Sequence, residues 1–77
     1  MWIYIKQVHV GAKQLKKLDR NKIEKHRKEF DRGGEVMPID VVKIAADEYC
    51  ISGNGRHRYF GALAAGMEMI EVNVLNE

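Results

Sequence analysis

The sequence predicts a small α+β domain with the element order β-α-β-β-α-β, a short mixed sheet and two main helices. Two observations carry this prediction. Short runs of β-branched and aromatic residues lie at both ends and in the middle of the chain, as is typical of strands. Between them lie two segments with helical start and stop signals. The length of 77 residues leaves room for one core, so residues 1–77 form a single domain.

The N-terminal segment predicts a strand followed by a less regular stretch. Trp2 to Val8 is rich in β-branched and aromatic residues, which favours a first strand. Val10 to Leu15 carries no strand pattern, and we expect a loop or a short helical turn there.

The first main helix is expected from about Asn21 to Arg32. Two start signals compete: Asn21 can form a capping box with Glu24, or Asp19 can cap the helix. Gly33-Gly34 ends the helix, because glycine is the usual residue after a helix C-terminus. The face predicted to point inward consists of Ile23, His26 and Phe30.

The second half of the chain predicts a hairpin, a helix and a last strand. We expect a strand from Ile39 to Ile44 after Pro38, a turn at 45–48 and a returning strand from Tyr49 to Ile51. A helix from about Gly55 to Ala65 follows. Ile70 to Val74 alternates apolar and polar residues, as a half-buried strand does.

The amino-acid composition excludes only a few classes of protein. A net charge of +2 is too small to establish nucleic-acid binding by itself. The single cysteine, Cys50, excludes an internal disulfide and fits a reducing compartment. The apolar start Trp2 to Ile5 is too short for a signal sequence or a membrane span, so we expect a cytoplasmic protein with no membrane partner.

The most informative segment is a basic turn that runs into the second helix. It reads Ser52-Gly53-Asn54-Gly55-Arg56-His57-Arg58. A helix N-terminus carries a partial positive charge and unpaired N–H groups, so arginines there are unfavourable unless an anion is bound. A glycine-containing turn at a helix start is a suitable phosphate site, and arginine adds a planar donor group.

The turn residues have different expected roles. Gly53 and Gly55 permit positive φ and close approach of a ligand to the backbone. Ser52 or Asn54 can cap the helix.

Three side chains of the turn carry positive or titratable charge. Arg56 and Arg58 lie two positions apart and point in different directions on a helix, so one can reach a phosphate while the other pairs with a carboxylate. His57 can donate to a phosphate oxygen or act as a general acid or base. The alternative is a polar helix start whose arginines form surface salt bridges.

The segment YCISGNGRHRYFGALAAGMEMIEVNVL resembles the core of the ParB/sulfiredoxin-like superfamily. The family pattern is an apolar strand, a G-x-[HR]-R turn, a small-residue helix, A-G and an I-x-V strand. VMPIDVVKI also fits the family's G-x-x-x-P-I-x-V segment, so the resemblance covers nearly the whole chain. It implies a minimal, free-standing domain of this type.

The resemblance implies nucleotide binding. In this superfamily the turn holds nucleotide phosphates, with CTP in ParB proteins and ATP in sulfiredoxins. Gly55, His57 and Arg58 match the G-x-H-R core, and Val36 to Ile39 matches a segment that lines the same pocket. We therefore expect CTP or ATP, with Mg²⁺ bridging the phosphates, to be bound by Pro38 and the turn residues Ser52, Gly53, Asn54, Gly55, Arg56, His57 and Arg58, with His57 as the candidate catalytic residue.

Departures from the family pattern limit the chemistry. Arg56 stands where sulfiredoxins have their reactive cysteine, and Cys50, in a strand, cannot replace it. Arg56 also stands where ParB proteins have a glutamate. The chain ends after the last strand, so we expect neither a second phosphate-binding motif nor a helix-turn-helix.

Candidate functional residues outside the turn have weaker support in the sequence. His9, His26 and His57 lack metal-ligand spacing, and we expect no metal site. Asp31 or Glu35, beside Gly33-Gly34, could orient a nucleophile or a metal. The basic residues from Lys13 to Arg32 could follow a nucleic-acid backbone, but acids are interleaved with them and a solvated helix is the better interpretation.

Three hypotheses follow. The first is a nucleotide- or phosphate-binding domain with a weak nucleotide hydrolase or phosphotransfer activity. The second is a small regulator from a mobile element that uses the fold as a scaffold to bind and inhibit a protein partner. The third is a DNA-binding or nuclease module whose turn clamps a phosphodiester.

Overall fold

A computed structural model describes residues 1–34 and 36–76 of the chain. Its three helices are α1 (Ala12–Leu15), α2 (Arg20–Asp31) and α3 (Arg56–Ala64). Its five strands are β1 (Trp2–Tyr4), β2 (Val8–His9), β3 (Ile39–Ala45), β4 (Glu48–Ile51) and β5 (Met69–Val74). The predicted α+β class, mixed sheet and two main helices are confirmed, and the third helix, α1, is the short turn expected near residues 10–15.

The five strands form one mixed sheet in the order β1-β5-β3-β4-β2. β3 pairs parallel with β5 and antiparallel with β4, while β1 pairs antiparallel with β5 and β2 pairs parallel with β4. In the β3–β4 hairpin Asp47 has a φ of 58°, a conformation that aspartate tolerates in tight turns.

The prediction of one continuous strand from Trp2 to Val8 is wrong. A 3₁₀ turn at Ile5–Gln7 divides it into β1 and β2, which lie at opposite edges of the sheet. Gln7 stabilises the turn by accepting the N–H of Tyr4 at 2.9 Å and donating to the carbonyl of Asp47 at 3.0 Å. Four residue steps span at most about 14 Å, whereas four strand spacings need about 19 Å in a flat sheet. The sheet is therefore curved, with its two edges close together.

The core lies on the face of the sheet that carries α3. It consists of side chains from every strand and from the 3₁₀ turn, together with Ala62 of α3: Ile3, Ile5, Val8, Ile39, Val41, Tyr49, Ile51, Ala62, Ile70 and Val72. Phe30 of α2 packs against this cluster while half-buried. Trp2 and Tyr4, whose burial the sequence left open, are both more than half exposed.

Helices α2 and α3 pack closely because α3 carries a glycine at their contact. A Cβ on Gly61 would lie 2.6 Å from the Cβ of His26 and 2.9 Å from the backbone nitrogen of Arg27. These distances are too short for any side chain. Gly61 thus allows the two helices to pack closely near the middle of their lengths, which positions the functional site.

Of the two predicted caps for α2, the structure has Asp19. Its Oδ1 accepts the backbone N–H of Asn21 at 2.9 Å. The helix ends at Arg32, after which Gly33 has a φ of 68°, as expected for a glycine stop.

Candidate functional site

The basic turn lies between the end of β4 and the start of α3. The backbone N–H of Ser52 donates to the carbonyl of Asp40 in β3 at 2.9 Å, which fixes the start of the turn. Gly53 has a φ of 72°, so its predicted positive φ is confirmed. Gly55 has a φ of −164°, which is extended, and the prediction of positive φ there is wrong.

Gly55 is needed for close packing within the protein. It is buried, and a Cβ at this position would lie 3.0 Å from the Cβ of Ile39 and 3.4 Å from Cγ2 of Ile51. The close approach that the sequence suggested for a ligand is made here by the core. This contact seats the first turn of α3 directly on the sheet.

The N-terminus of α3 is not capped by a side chain. Gly55 is the N-cap residue, so the prediction that Ser52 or Asn54 caps the helix is wrong. The first intrahelical bond runs from the N–H of Tyr59 to the carbonyl of Gly55. Within the described residues, the N–H groups of Arg56, His57 and Arg58 therefore have no acceptor, as is usual at a helix start.

The residues that carry these three N–H groups line a small polar pocket of about 280 Å³, which we call the basic pocket. Its lining comes from the turn, from α3 and from α2: Lys22, His26, Asn54, Gly55, Arg56, His57 and Arg58. The cationic side chains and the positive end of the α3 dipole have the same sign, so the pocket favours an anion. Ser52 and Gly53, predicted to contact the ligand, shape the turn but do not line this pocket.

Arg56 and Arg58 point in different directions, as predicted, but both donate to backbone carbonyls. Arg56 Nε lies 3.4 Å from the carbonyl oxygen of Lys17, a long contact that leaves its guanidinium largely uncommitted. The expected pairing of one arginine with a carboxylate is not found within the described residues.

Arg58 connects the turn to the segment before β3. Its Nη1 donates to the carbonyls of Met37 at 3.2 Å and Pro38 at 3.0 Å, and its Nη2 donates to the carbonyl of Asn54 at 3.2 Å. Three carbonyls thus occupy a side chain that the sequence assigned to phosphate. Arg58 serves first to hold the two walls of the site together, with Nε and one N–H of Nη2 still free to donate.

His57 joins the N-terminus of α3 to that of α2. Its Nε2 accepts the backbone N–H of Asp19 at 3.0 Å, so the ring is neutral with its proton on Nδ1. Partial burial, and then the nearby charges of Arg56 and Lys22, lower the pKa of His57 below its ordinary value. A general base role at Nε2 would first require this bond to break.

His26 lines the same pocket from α2. Burial lowers its pKa as well, a nearby Glu29 carboxylate opposes the shift, and Arg58 adds to it. His26 Nδ1 is covered from solvent, lies 3.8 Å from Glu29 Oε1, and makes no hydrogen bond within the described residues.

Pro38 lies on the other side of Arg58, in a larger open groove of about 760 Å³. Most of this lining is apolar, and we call it the apolar groove. It comprises Trp2, Phe30, Gly33, Gly34, Val36, Met37, Pro38, Ile39, Arg58, Met67, Ile70 and Glu71. Pro38 therefore contacts the basic pocket only through Arg58, and the two cavities share that one side chain.

The remaining candidates are placed away from the basic pocket. Cys50 is half-buried in β4, and Asp31 forms an ion pair with Arg27, while Glu35 lies outside the described residues. Among the described residues, no group of three or more histidine, cysteine or acidic side chains is arranged to hold a metal ion. None of the described helices is long and apolar enough to cross a membrane.

Sequence reasoning missed Lys22 and His26 as members of the site. Both precede the turn by about thirty residues and reach it only because α2 packs against α3 at Gly61. Their spacing of four residues places them on one side of α2, but the sequence also allowed that side to face solvent.

The fold was compared with solved structures. Sulfiredoxin from Arabidopsis thaliana superposes with a TM-score of 0.81 at 19% identity, over 100% of this chain and 84% of that one. C-terminally truncated ParB from Caulobacter crescentus, complexed to the centromeric parS site, superposes with a TM-score of 0.78 at 20% identity over 96% of this chain. This chain has the ParB/sulfiredoxin-like fold.

A second structure of C-terminally truncated ParB from Caulobacter crescentus, complexed with CTP-γ-S, superposes on 100% of the present chain. The TM-score is 0.74 and the identity 23%. The chain spans only 38% and 45% of the two ParB chains. No protein-family model matches the sequence, and no curated protein matches it significantly. The likeness therefore establishes the fold, which the sequence motifs predicted.

Proposed function

We propose that this domain binds a nucleotide and holds its phosphates in the basic pocket. One observation carries the proposal: the three residues whose N–H groups start α3 without an acceptor among the described residues line one small cavity together with Lys22. Backbone N–H groups and cations directed at one point are what a phosphate requires. The ParB relative complexed with CTP-γ-S supports the same ligand class.

In this proposal His57 acts as a phosphate donor. Its Nε2 is held by the N–H of Asp19, so Nδ1 carries the proton and is the ring atom free to donate to a phosphate oxygen. Binding thus uses the neutral ring as the structure has it. Hydrolase or phosphotransfer activity at His57 is a further step that needs the Asp19 bond to open.

The nucleoside is assigned to the apolar groove. This groove and the basic pocket lie on either side of Arg58, and an aromatic side chain, Trp2, contributes to its lining. A planar base gains from burial against such a surface, while the free donors of Arg58 remain near the connecting phosphates. CTP and ATP are both candidates, since no described contact selects one base.

Magnesium would enter with the nucleotide. Asp19, whose backbone N–H is bonded to His57, carries a carboxylate near the pocket, but its Oδ1 already accepts the N–H of Asn21. Since the described residues offer no cluster of acidic ligands, the phosphates themselves would supply most of the oxygen ligands of the ion.

Isothermal titration with CTP and ATP, each with Mg²⁺, tests the proposal. We expect saturable binding of at least one nucleotide, and a loss of about tenfold in affinity for Lys22→Gln or Arg56→Gln. Lys28→Gln is the matched control, because this exposed lysine of α2 does not line the basic pocket. Absence of binding, or equal losses in all three variants, would contradict it. The expected cytoplasmic location and mobile-element origin stay predictions.

A further inference from the structure

The charges of this chain are divided unevenly along its sequence. Between Lys13 and Arg32 there are nine lysines and arginines but four acids, whereas the rest of the chain has four lysines and arginines and seven acids. Two of those four, Arg56 and Arg58, belong to the basic pocket against which α2 packs. The small net charge of +2 therefore hides a strongly basic helical side and an acidic remainder.

Within α2, two of the three acids are also separated from most of the cations. Arg27 forms ion pairs with both Glu24 and Asp31, so these acids occupy one flank of the helix. The remaining acid, Glu29, is half-buried and faces His26. The structure thus gathers two of the three acids of α2 around Arg27, while Glu29, on the side of Lys25 and Arg32, contacts His26.

The other side of α2 forms a basic stripe, defined by Lys22, Lys25, Lys28 and Arg32. At 100° per residue these positions fall within an arc of about 120° and extend over about 15 Å of helix. All four are exposed, and within residues 1–34 and 36–76 none of them forms an ion pair. Lys22 also lines the basic pocket, so stripe and pocket are continuous.

We infer that the basic stripe binds the sugar-phosphate backbone of a nucleic-acid duplex independently of base sequence. Duplex DNA carries one charge per about 1.7 Å, or on the order of nine phosphates over the length of the stripe. Several exposed cations in a row match such a polymer better than they match a single anion. Lysine ammonium groups read charge and not base edges, so this surface gives affinity without sequence preference.

This surface shares Lys22 with the proposed nucleotide site and extends beyond it. A mononucleotide fills the basic pocket and needs Lys22, whereas a duplex continues along Lys25, Lys28 and Arg32. Removal of Lys25 and Lys28 should therefore weaken duplex binding and leave nucleotide binding intact. That difference separates failure of this inference from failure of the proposed function.

Fluorescence polarisation with two labelled 20-base-pair duplexes of unrelated sequence, from about 50 to 200 mM salt, tests the inference. We expect both duplexes to bind within about twofold of one another, with the logarithm of affinity falling linearly against the logarithm of salt concentration. The double variant Lys25→Gln, Lys28→Gln should lose about two from that slope, since each phosphate contact contributes about 0.9. Its titration with CTP and ATP should match the wild type.

The matched control is Lys6→Gln, Lys43→Gln, which removes the same charge outside the helical side of the molecule and should leave the slope unchanged. No duplex binding at 50 mM salt would overturn the inference, as would equal slopes in the wild type and the stripe variant. Equal losses in both double variants would show a net-charge effect and overturn it too. Preferential binding of phosphatidylserine vesicles over duplex would reassign the stripe to a membrane surface.

Discussion

The imidazole of His57 accepts the backbone N–H of Asp19 at 3.0 Å, and this bond joins the starts of the two main helices. Asp19 is itself the cap of α2, and His57 is the second residue of α3. One neutral ring therefore positions Lys22, one turn into α2, beside Arg56 in the basic pocket. We therefore expect protonation of Nε2 to break this bond and loosen the pocket.

The first prediction concerns pH. In the folded protein the pKa of His57 lies below its ordinary value, and that of His26 is shifted in the same direction. The unfolded chain then binds more protons than the native state as the pH falls through about 6.5, so stability is full above that pH and declines as the pH drops toward the folded pKa. We expect the urea midpoint to fall between pH 7.5 and pH 5.5.

The variant His57→Gln should flatten this dependence, because an amide oxygen can accept the Asp19 N–H and does not titrate in this range. Restricting the measurement to pH values above 5 keeps most carboxylates ionised. A wild-type midpoint that is constant with pH, or a variant as steep as the wild type, would show that the ring does not hold α2.

The second prediction concerns the contact between α2 and α3. Gly61→Ala places a methyl group 2.6 Å from the Cβ of His26 and should destabilise the domain by about 2 kcal/mol, although alanine ordinarily favours a helix. Gly11→Ala is the control, since nothing lies within 4 Å of its new Cβ, and should change stability by less than about 0.5 kcal/mol. Urea denaturation of both variants measures the difference. Equal stability of the two would contradict the close packing.

The third prediction separates the two arginines of the turn. Arg58→Ala removes donors from the carbonyls of Met37, Pro38 and Asn54 and should cost about 2 kcal/mol of folding stability. Arg56→Ala removes a single long contact and should cost less than about 1 kcal/mol. Thermal unfolding distinguishes the two variants. A larger loss of stability in Arg56→Ala than in Arg58→Ala would show that Arg56, and not Arg58, stabilises the fold. Loss of nucleotide binding in the Arg58 variant would therefore report loss of the fold as much as loss of a ligand contact.

The fourth prediction uses Trp2, the single tryptophan of the chain. It lines the apolar groove and is 58% exposed, so its emission reports on that surface. If the base occupies the groove, saturating nucleotide should quench or shift the fluorescence of Trp2, while inorganic phosphate, confined to the basic pocket, should leave it unchanged. An identical response to both would place the base elsewhere.

Much of the fold was predictable because its signals are local. The Asp19 cap, the glycine stop after α2 and the apolar alternation of β5 act within a few residues, and each predicted its element. The division of the first strand was not predictable, because it depends on Gln7 reaching Asp47 across the sheet. The curved sheet that this contact helps to close has no signature within residues 2–8.

The site was predictable only in part for the same reason. The turn from Ser52 to Arg58 is recognisable in the sequence from its glycines and basic residues, and the family resemblance predicted its ligand class. Lys22 enters the site through the packing of α2 on α3, and Arg58 is diverted to backbone carbonyls that lie twenty residues away. The separation of acids from cations on α2 likewise depends on which neighbours Arg27 reaches.

The central claim is that phosphate is bound at the start of α3. The most direct measurement is a titration of the ¹⁵N-labelled domain with CTP and with ATP, each with Mg²⁺, followed through the backbone amide signals. We expect the largest shifts at residues 55–58, where the N–H groups of Arg56, His57 and Arg58 have no acceptor, with smaller shifts at Lys22. Signals of these residues that remain unchanged with both nucleotides would contradict the account.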